Sequence, residues 1–173
     1  MKADQQFTKN AANHLSFSAT NYAINGEVKW DMLSVESGSK WNVLYLFAGA
    51  GVTTLTPSTL LNNTVYILPT YKTEEQVYSL WAAQLNYGLG LPMALNSSTL
   101  LSVEGRYTHV LSDYLDDVST VYADKSTATV IERNLADKRI AEQLPANLAG
   151  AVRGNSKRND GYFLLTLQLI YKF

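Results

Sequence analysis

The sequence predicts an all-β protein. The expected form is an antiparallel up-and-down transmembrane β-barrel of the eight-stranded kind, with about five strands in these 173 residues. Three observations predict it. The last thirteen residues alternate: Phe163, Leu165, Leu167, Leu169, Tyr171 and Phe173 are apolar or aromatic, while Tyr162, Leu164, Thr166, Gln168, Ile170 and Lys172 form a mixed, partly polar set. A strand turns successive side chains to opposite faces, so this is one greasy face and one wetter face. The connections between strand-like stretches run short, long, short, long, as the periplasmic turns and outer loops of such barrels do. Charged residues are 17% of the chain, below the roughly 25% of a soluble domain, yet no run of about 18 apolar residues could cross a membrane as a helix.

In chain order, a polar lead precedes a first strand over His14 to Met32. Tyr22, Ile24, Val28, Trp30 and Met32 fall on one face of it and Ala23, Asn25, Glu27, Lys29 and Asp31 on the other. Charges at alternate positions suit a water-filled or ion-paired lumen, although in a soluble sheet they would face solvent. Ser34 to Lys40 is a short Gly/Ser connection. Trp41 to Thr56 is the second strand, and either Leu44, Leu46, Ala48, Ala50 and Val52 or Trp41, Val43, Tyr45 and Phe47 form its outer face. Its glycines mark close backbone approach or bending. Gly49-Ala50-Gly51 is not a dinucleotide loop, because no helix-forming segment follows it.

Pro57 to Gln76 reads as a Thr/Asn-rich loop. Val77 to Leu91 is the third strand, with Trp81, Ala83, Leu85, Tyr87, Leu89 and Leu91 opposed to Ala82, Gln84, Asn86, Gly88 and Gly90. Small and amide side chains fit the crowded inside of a narrow barrel. After a short connection over Pro92 to Ser98, Thr99 to Leu111 is the fourth strand, with Glu104 and Arg106 on one face. Ser112 to Asp160 is the longest irregular segment, expected on the cell exterior, with one helix near Val130 to Leu144 capped by Ser126 or Thr129. Gly161 to Phe173 is the fifth strand. All 173 residues are read as a single barrel domain.

The candidate functional residues follow from these faces. Glu27, Lys29, Asp31, Gln84, Asn86, Glu104, Arg106, Gln168 and Lys172 would form a mixed polar lumen. An eight-stranded interior is filled by side chains, so an ion-paired plug is expected and not a pore. Trp30, Trp41, Tyr45, Trp81, Tyr107, Tyr162, Tyr171 and Phe173 sit toward strand ends, as interfacial aromatics do. Asp113, Asp116, Asp117 and Asp124 lack the Asp-x-Asp-x-Asp-Gly spacing of a calcium loop. They are read as turn caps and as partners of Arg133, Lys138, Arg139 or Arg153 that fold the long segment on itself. Neither His14 nor His109 belongs to a metal-ligand spacing, and no Gly-x-Ser-x-Gly elbow is present. The reading is non-enzymatic, with no cofactor or metal. A net charge of −1 gives no reason to expect nucleic acid, and the absence of Cys excludes disulfide and thiolate chemistry.

A terminal Phe that closes an alternating strand resembles the assembly signal of outer-membrane barrels, carried here by Phe163, Leu165, Leu167, Leu169, Tyr171 and Phe173. Further stretches are similar to one barrel family. They are Asn13-His14-Leu15-Ser16-Phe17, Phe47-Ala48-Gly49, Glu104-Gly105-Arg106-Tyr107-Thr108, the loop string Asp113-Tyr114-Leu115-Asp116-Asp117-Val118-Ser119, Arg153 to Asp160, and the Tyr-Lys-Phe ending. Together they resemble a Bacteroidota outer-membrane β-barrel family that includes PorG, a barrel component of the type IX secretion machinery. The resemblance implies a bacterial outer-membrane location, outer-membrane lipid as surroundings, and periplasmic or outer-membrane components of a secretion machine as partners. Its implied role is an accessory that anchors periplasmic components. Two readings from other classes stand beside it: a structural or surface-interaction barrel without a secretion role, and a soluble β-barrel that binds a small apolar ligand.

Five strands are too few to close such a barrel, and an open sheet in lipid leaves two edges of unpaired N–H and C=O groups. Family members begin with a signal peptide and further strands rich in Gly and Tyr, to which nothing here corresponds. The expectation is therefore a C-terminal part of an eight-stranded barrel, with free edges at its first and last strands.

Overall fold

A computed structural model of the protein describes residues 1–4, 14–32 and 44–171. The expected connection Ser34 to Lys40, and Trp41, Val43, Lys172 and Phe173, lie outside the described residues. The described chain is mostly antiparallel β-sheet with two short helices. Its strands are β1 (Lys2–Asp4), β2 (Ser16–Ala19), β3 (Ala23–Asp31), β4 (Tyr45–Thr54), β5 (Pro57–Leu61), β6 (Thr64–Ile67), β7 (Trp81–Ala94), β8 (Thr99–Val110) and β9 (Gly161–Tyr171). The helices are α1 (Val130–Ala136) and α2 (Lys138–Ala141), and a 3₁₀ turn spans Leu68–Tyr71. The chain divides into two compact units. One comprises Ala23–Val52, Ala83–Leu111 and Gly161–Phe173, and the other Met1–Tyr22, Thr53–Ala82 and Ser112–Asp160.

The first unit is organised on a five-stranded sheet of order β3-β4-β7-β8-β9. β7 and β8 pair antiparallel with Gly88 opposite Arg106 and Gly90 opposite Glu104, and β8 and β9 with Gly105 opposite Leu165 and Ser102 opposite Gln168. This register puts Leu85, Tyr87, Leu89, Leu101, Val103, Tyr107, Phe163, Leu165, Leu167 and Leu169 on one face. Gln84, Asn86, Ser102, Glu104, Arg106 and Thr108 share the other. In β4 the sequence pattern fits either orientation, and burial decides it: Tyr45 and Phe47 turn inward, Leu46 and Val52 outward.

The polarity of this sheet is inverted. Leu165, Leu167 and Leu169 are 68%, 70% and 71% exposed, while Gln84, Asn86 and Glu104 are 1%, 1% and 2% exposed. Two glycines make room for the inward rings. A Cβ on Gly88 would press on the Phe47 ring and the Gly105 carbonyl, and one on Gly90 would press on the Tyr45 ring. Tyr45, expected among the interfacial aromatics, is thus an interior residue. Its outward counterparts Trp30, Tyr107 and Tyr171 are exposed as expected.

The edges of the sheet are β3 and β9. With five antiparallel strands the two edges run in the same direction, so antiparallel pairing cannot join them. Among the described residues the sheet is open, with its free edges where the strand count places them.

The second unit carries a four-stranded sheet of order β1-β2-β5-β6. The strand expected over His14 to Met32 is therefore two strands in different sheets. The break at residues 20–22 is held by Thr56, whose backbone N–H donates to Asn21 Oδ1 at 3.1 Å and whose hydroxyl donates to the Thr20 carbonyl at 2.7 Å. The stretch Pro57 to Gln76, expected as a loop, contains a hairpin. Asn62 and Asn63 take φ of 49° and 61°, the left-handed pair that a two-residue hairpin turn requires. Thr/Asn richness read as loop composition, but Asn-Asn between Leu61 and Thr64 is a turn between two β-forming runs. Leu61, Leu68 and Leu135 form the buried cluster of this unit, with Tyr66, Tyr71 and Ala141 against it.

The helix expected over Val130 to Leu144 starts at Thr129, in a capping box with Glu132. It is interrupted at Asp137, whose extended backbone ends α1 and whose carboxylate accepts the Arg139 N–H that opens α2, 3.1 Å away.

The interior glycines give a direct test of the sheet. Gly88→Ala should cost roughly 1–3 kcal/mol, the usual penalty of overpacking. Gly26→Ala, where a Cβ meets nothing within 4 Å, should be close to neutral. Urea unfolding of the two variants measures the contrast, and equal losses would mean the register is wrong.

Candidate functional site

In the five-stranded unit the inward residues of β3, β4, β7 and β8 meet in one hydrogen-bonded network. Arg106 is its centre. Its guanidinium donates twice to the Glu27 carboxylate, through Nη1 to Oε1 and through Nη2 to Oε2 (3.0 Å), and through Nη2 to Glu104 Oε1 at 2.8 Å. Glu104 Oε2 accepts the Tyr45 hydroxyl at 2.9 Å and stands 3.5 Å from Lys29 Nζ. The guanidinium carbon of Arg106 lies 4.6 Å from the Phe47 ring centroid, and Lys29 Nζ lies 4.8 Å from that of Tyr45. Both are cation–π distances. A second group stands beside the first: Asn25 Oδ1 accepts Gln84 Nε2 at 2.7 Å and Asn86 Nδ2 at 2.8 Å, and Thr108 donates to Asn86 Oδ1 at 2.8 Å.

The Arg106–Glu27 contact reports the curvature of the sheet. β3 and β8 are three strand positions apart, about 14 Å in a flat sheet at about 4.8 Å per strand. Side chains standing perpendicular to a flat sheet would not meet over that span. The sheet curls its polar face inward until they do.

Of the nine residues expected in this interior, Glu27, Lys29, Gln84, Asn86, Glu104 and Arg106 are brought together. Asp31 is exposed and has no side-chain partner in the network. Gln168 sits on the expected face, opposite Ser102, but on edge strand β9, where it is exposed and outside the network. Lys172 lies outside the described residues. Asn25, Tyr45, Phe47 and Thr108 complete the network and were not expected in it. Their one sequence signal is shared alternation with Glu27, Gly49 and Arg106.

In the second unit the loop string Asp113-Tyr114-Leu115-Asp116-Asp117 meets one of the four cations considered for it, through Asp117 and Arg153. Arg153 Nη1 donates to Glu74 Oε1 at 2.9 Å and to the Asp117 carbonyl, and Nη2 stands 3.6 Å from Asp117 Oδ2. Asp117 also accepts the Thr73 hydroxyl at 2.5 Å and the Tyr78 hydroxyl at 2.6 Å. Glu74 is saturated: Ser119 N–H, Thr120 N–H and the Thr120 hydroxyl all donate to it, at 2.9, 2.9 and 2.7 Å. Tyr114 stacks on Tyr78 with centroids 4.2 Å apart and planes within 10°, and Leu115 is buried. Asp116 accepts the Val118 N–H at 3.0 Å and Asp160 the Leu115 N–H at 2.8 Å.

Thr73 and Glu74 lay in the expected Thr/Asn-rich loop and Tyr78 at the start of the expected third strand, and nothing local marked them as partners of residues some forty positions or more away. The other cations considered go elsewhere. Lys138 donates to Ser16 Oγ at 2.6 Å, and Arg139 Nε donates to the Pro145 carbonyl at 2.8 Å. Burial, reinforced by the charge of Asp160, pushes Asp116 up to about 7. Burial, again with Asp160, pushes Asp113 up to about 6.

In these clusters Arg106 meets Glu27 and Glu104, and Arg153 meets Glu74 and Asp117, while Asp113 Oδ2 and Arg153 Nε are buried without a hydrogen-bond partner. His14 Nδ1 stands 2.7 Å from Glu142 Oε2, and His109 lies on β8 opposite Leu85 and Gly161. Among the described residues, no group of three or more His, Cys, Asp or Glu is arranged to hold a metal ion. No family model, curated protein or solved structure matches the chain.

Removing one member of a buried charge cluster leaves the others uncompensated. Arg153→Met, which strands Glu74 and Asp117, should cost about 3–5 kcal/mol in denaturant unfolding. A loss under 1 kcal/mol would show that water reaches the site. Acidity gives a second test. An acid whose folded pKa exceeds its unfolded value of about 4 stabilises the fold in its protonated form. That stabilisation is complete below about pH 4 and is lost as pH rises through 6 and 7. Thermal midpoints should therefore fall from pH 5 to pH 8, and by less in Asp116→Asn. Parallel pH profiles would exclude Asp116 as the titrating group.

Proposed function

We propose that this chain is a non-enzymatic outer-membrane β-barrel protein whose five-stranded sheet stands in the bilayer. One observation carries the reading: the sheet has its apolar residues outside and its ion pairs inside. Ile24, Val28, Trp30, Leu85, Tyr87, Leu89, Phe163, Leu165, Leu167 and Leu169 are all at least 44% exposed on that outer face. Soluble monomers rarely show contiguous apolar patches above a few hundred Å². Hydrocarbon solvates such a face without cost, and the curl of the sheet turns Arg106, Glu27 and Glu104 away from that face. In lipid both sheet edges must be paired, since each unpaired backbone group there costs several kcal/mol.

The narrower proposal is an accessory of the type IX secretion machinery, of the PorG kind, that anchors periplasmic components. It rests on the resemblance carried by the Asp113-Tyr114-Leu115-Asp116-Asp117 string and its companions. A second reading, a surface-interaction barrel without secretion partners, is favoured by a different observation. The long connections of the sheet, between β4 and β7 and between β8 and β9, are themselves folded, with their own strands, helices and buried arginine. In a barrel whose C-terminus lies in the periplasm, the alternation of short and long connections would put both of them on the cell exterior.

Charge placed on the two faces of β9 separates a bilayer-standing sheet from a soluble one. Leu167→Arg should cost roughly 2–4 kcal/mol in refolding into lipid vesicles, and Gln168→Arg clearly less. Equal costs, or a wild-type protein that stays monodisperse without detergent, would overturn the membrane reading. On intact cells, added protease should cut within residues 112–160 while leaving the sheet whole. In vivo crosslinking then divides the two roles: capture of periplasmic secretion components supports the anchoring proposal, and capture of none supports the surface role.

A further inference from the structure

The unit built from Met1–Tyr22, Thr53–Ala82 and Ser112–Asp160 contains an open pocket of about 170 Å³ beside α1 and α2. That volume is close to the roughly 150 Å³ of a cavity that takes benzene, so it suits a compact body of about six heavy atoms. Ala136, Ile140, Ala146 and Ala149 supply an apolar lining.

Among the charged residues around the pocket, all but Arg133 have a hydrogen-bond or ion-pair partner among the described residues. The Asp137 carboxylate accepts the N–H groups of Arg139 and Asn147, at 3.1 and 2.6 Å, and Asp124 accepts the Ser126 N–H at 2.9 Å. Lys125 Nζ donates to the Lys72 carbonyl at 2.9 Å and stands 4.0 Å from Glu75. Arg133 lines the pocket, is exposed, and has neither an ion pair nor a side-chain hydrogen bond among the described residues. The lining residues Tyr122 and Asn147 hold further unused capacity, for the Tyr122 hydroxyl and Asn147 Nδ2 are buried without a partner. Burial and the nearby Asp137 push the Tyr122 hydroxyl up to about 12, so it keeps its proton as a donor. Unspent donors and one unspent cation beside an apolar lining call for an anionic head on a small apolar body.

We infer that this pocket binds a small monocarboxylate with a compact apolar body, its carboxylate held by Arg133 and its body against Ala136, Ile140 and Ala149. A dicarboxylate or a sugar would set polar groups against the alanines, and a cation would meet Arg133. The inference is independent of what solvates the five-stranded sheet.

Alanine-methyl NMR of the full chain in a non-ionic detergent tests it, with benzoate as probe and benzamide and benzylamine as its neutral and cationic isosteres. Benzoate should shift the Ala136 and Ala149 methyl signals saturably, and both isosteres should bind at least about tenfold more weakly, the yield of one charge-assisted hydrogen bond. Arg133→Gln should remove the preference for benzoate over benzamide. Ala149→Trp should abolish binding, and because Ala149 is exposed this change does not challenge the core. Ala146→Trp repeats the block from another exposed position in the lining. No saturable benzoate shift, equal binding of benzylamine, an unchanged preference in Arg133→Gln, or benzoate binding in both Trp variants would each overturn the inference.

Discussion

The five-stranded unit depends on one ion pair. Arg106 on β8 reaches Glu27 on β3 across two intervening strands, and it does so only because the sheet is curled. The curl in turn requires an inner face with little bulk. Gly49, Gly51, Gly88 and Gly90 leave it to two rings, Tyr45 and Phe47, which the glycines accommodate. The cations lie over those rings, and Glu104 joins Arg106, Lys29 and Tyr45. Taking two or three charges out of water is unfavourable unless each is paired and hydrogen-bonded. Here every member has a partner, so curvature, small residues and charge pairing stand or fall together.

The second unit repeats the device in another setting. Arg153 lies between Glu74 and Asp117 as Arg106 lies between Glu27 and Glu104, and in both cases arginine meets one of its carboxylates 79 residues away. A planar guanidinium with five donors in a fixed fork can satisfy two carboxylates at once, which a lysine ammonium does less well. Around Arg153 the remaining acceptor sites are filled by backbone N–H groups of residues 119 and 120 and by the hydroxyls of Thr73, Tyr78 and Thr120. A long connection without a large apolar core thereby acquires a fixed shape. The pocket beside α1 and α2 is part of that shape, and its Arg133 differs from Arg106 and Arg153 in forming no ion pair among the described residues.

Under the proposed membrane reading, the inverted sheet and the folded connections divide the labour. The sheet supplies an outer surface that water solvates badly and hydrocarbon solvates well, with its charges inside. The connections supply folded surface for recognition.

What the sequence by itself determined was the alternation. Phe163 to Tyr171, the Glu104–Arg106 pair and the Glu27–Lys29 pair announced strands with one apolar and one charged face, because a period of two is a property of the backbone. A helix near Val130 capped by Ser126 or Thr129 was legible because capping is local, and the structure selects Thr129, whose capping-box partner Glu132 is three residues on. Tertiary structure decided the rest. It turned Tyr45 inward, because Gly90 lies opposite on a strand some forty residues later. It left Asp31 and Gln168 outside the network, because one is exposed beyond the paired charges of β3 and the other stands on an edge strand. It broke the first predicted strand at residues 20–22 and made a hairpin of a predicted loop, through Thr56 and the Asn62–Asn63 turn. It also chose Arg153 from four candidate cations, because pairing depends on distance in space and no local period encodes that.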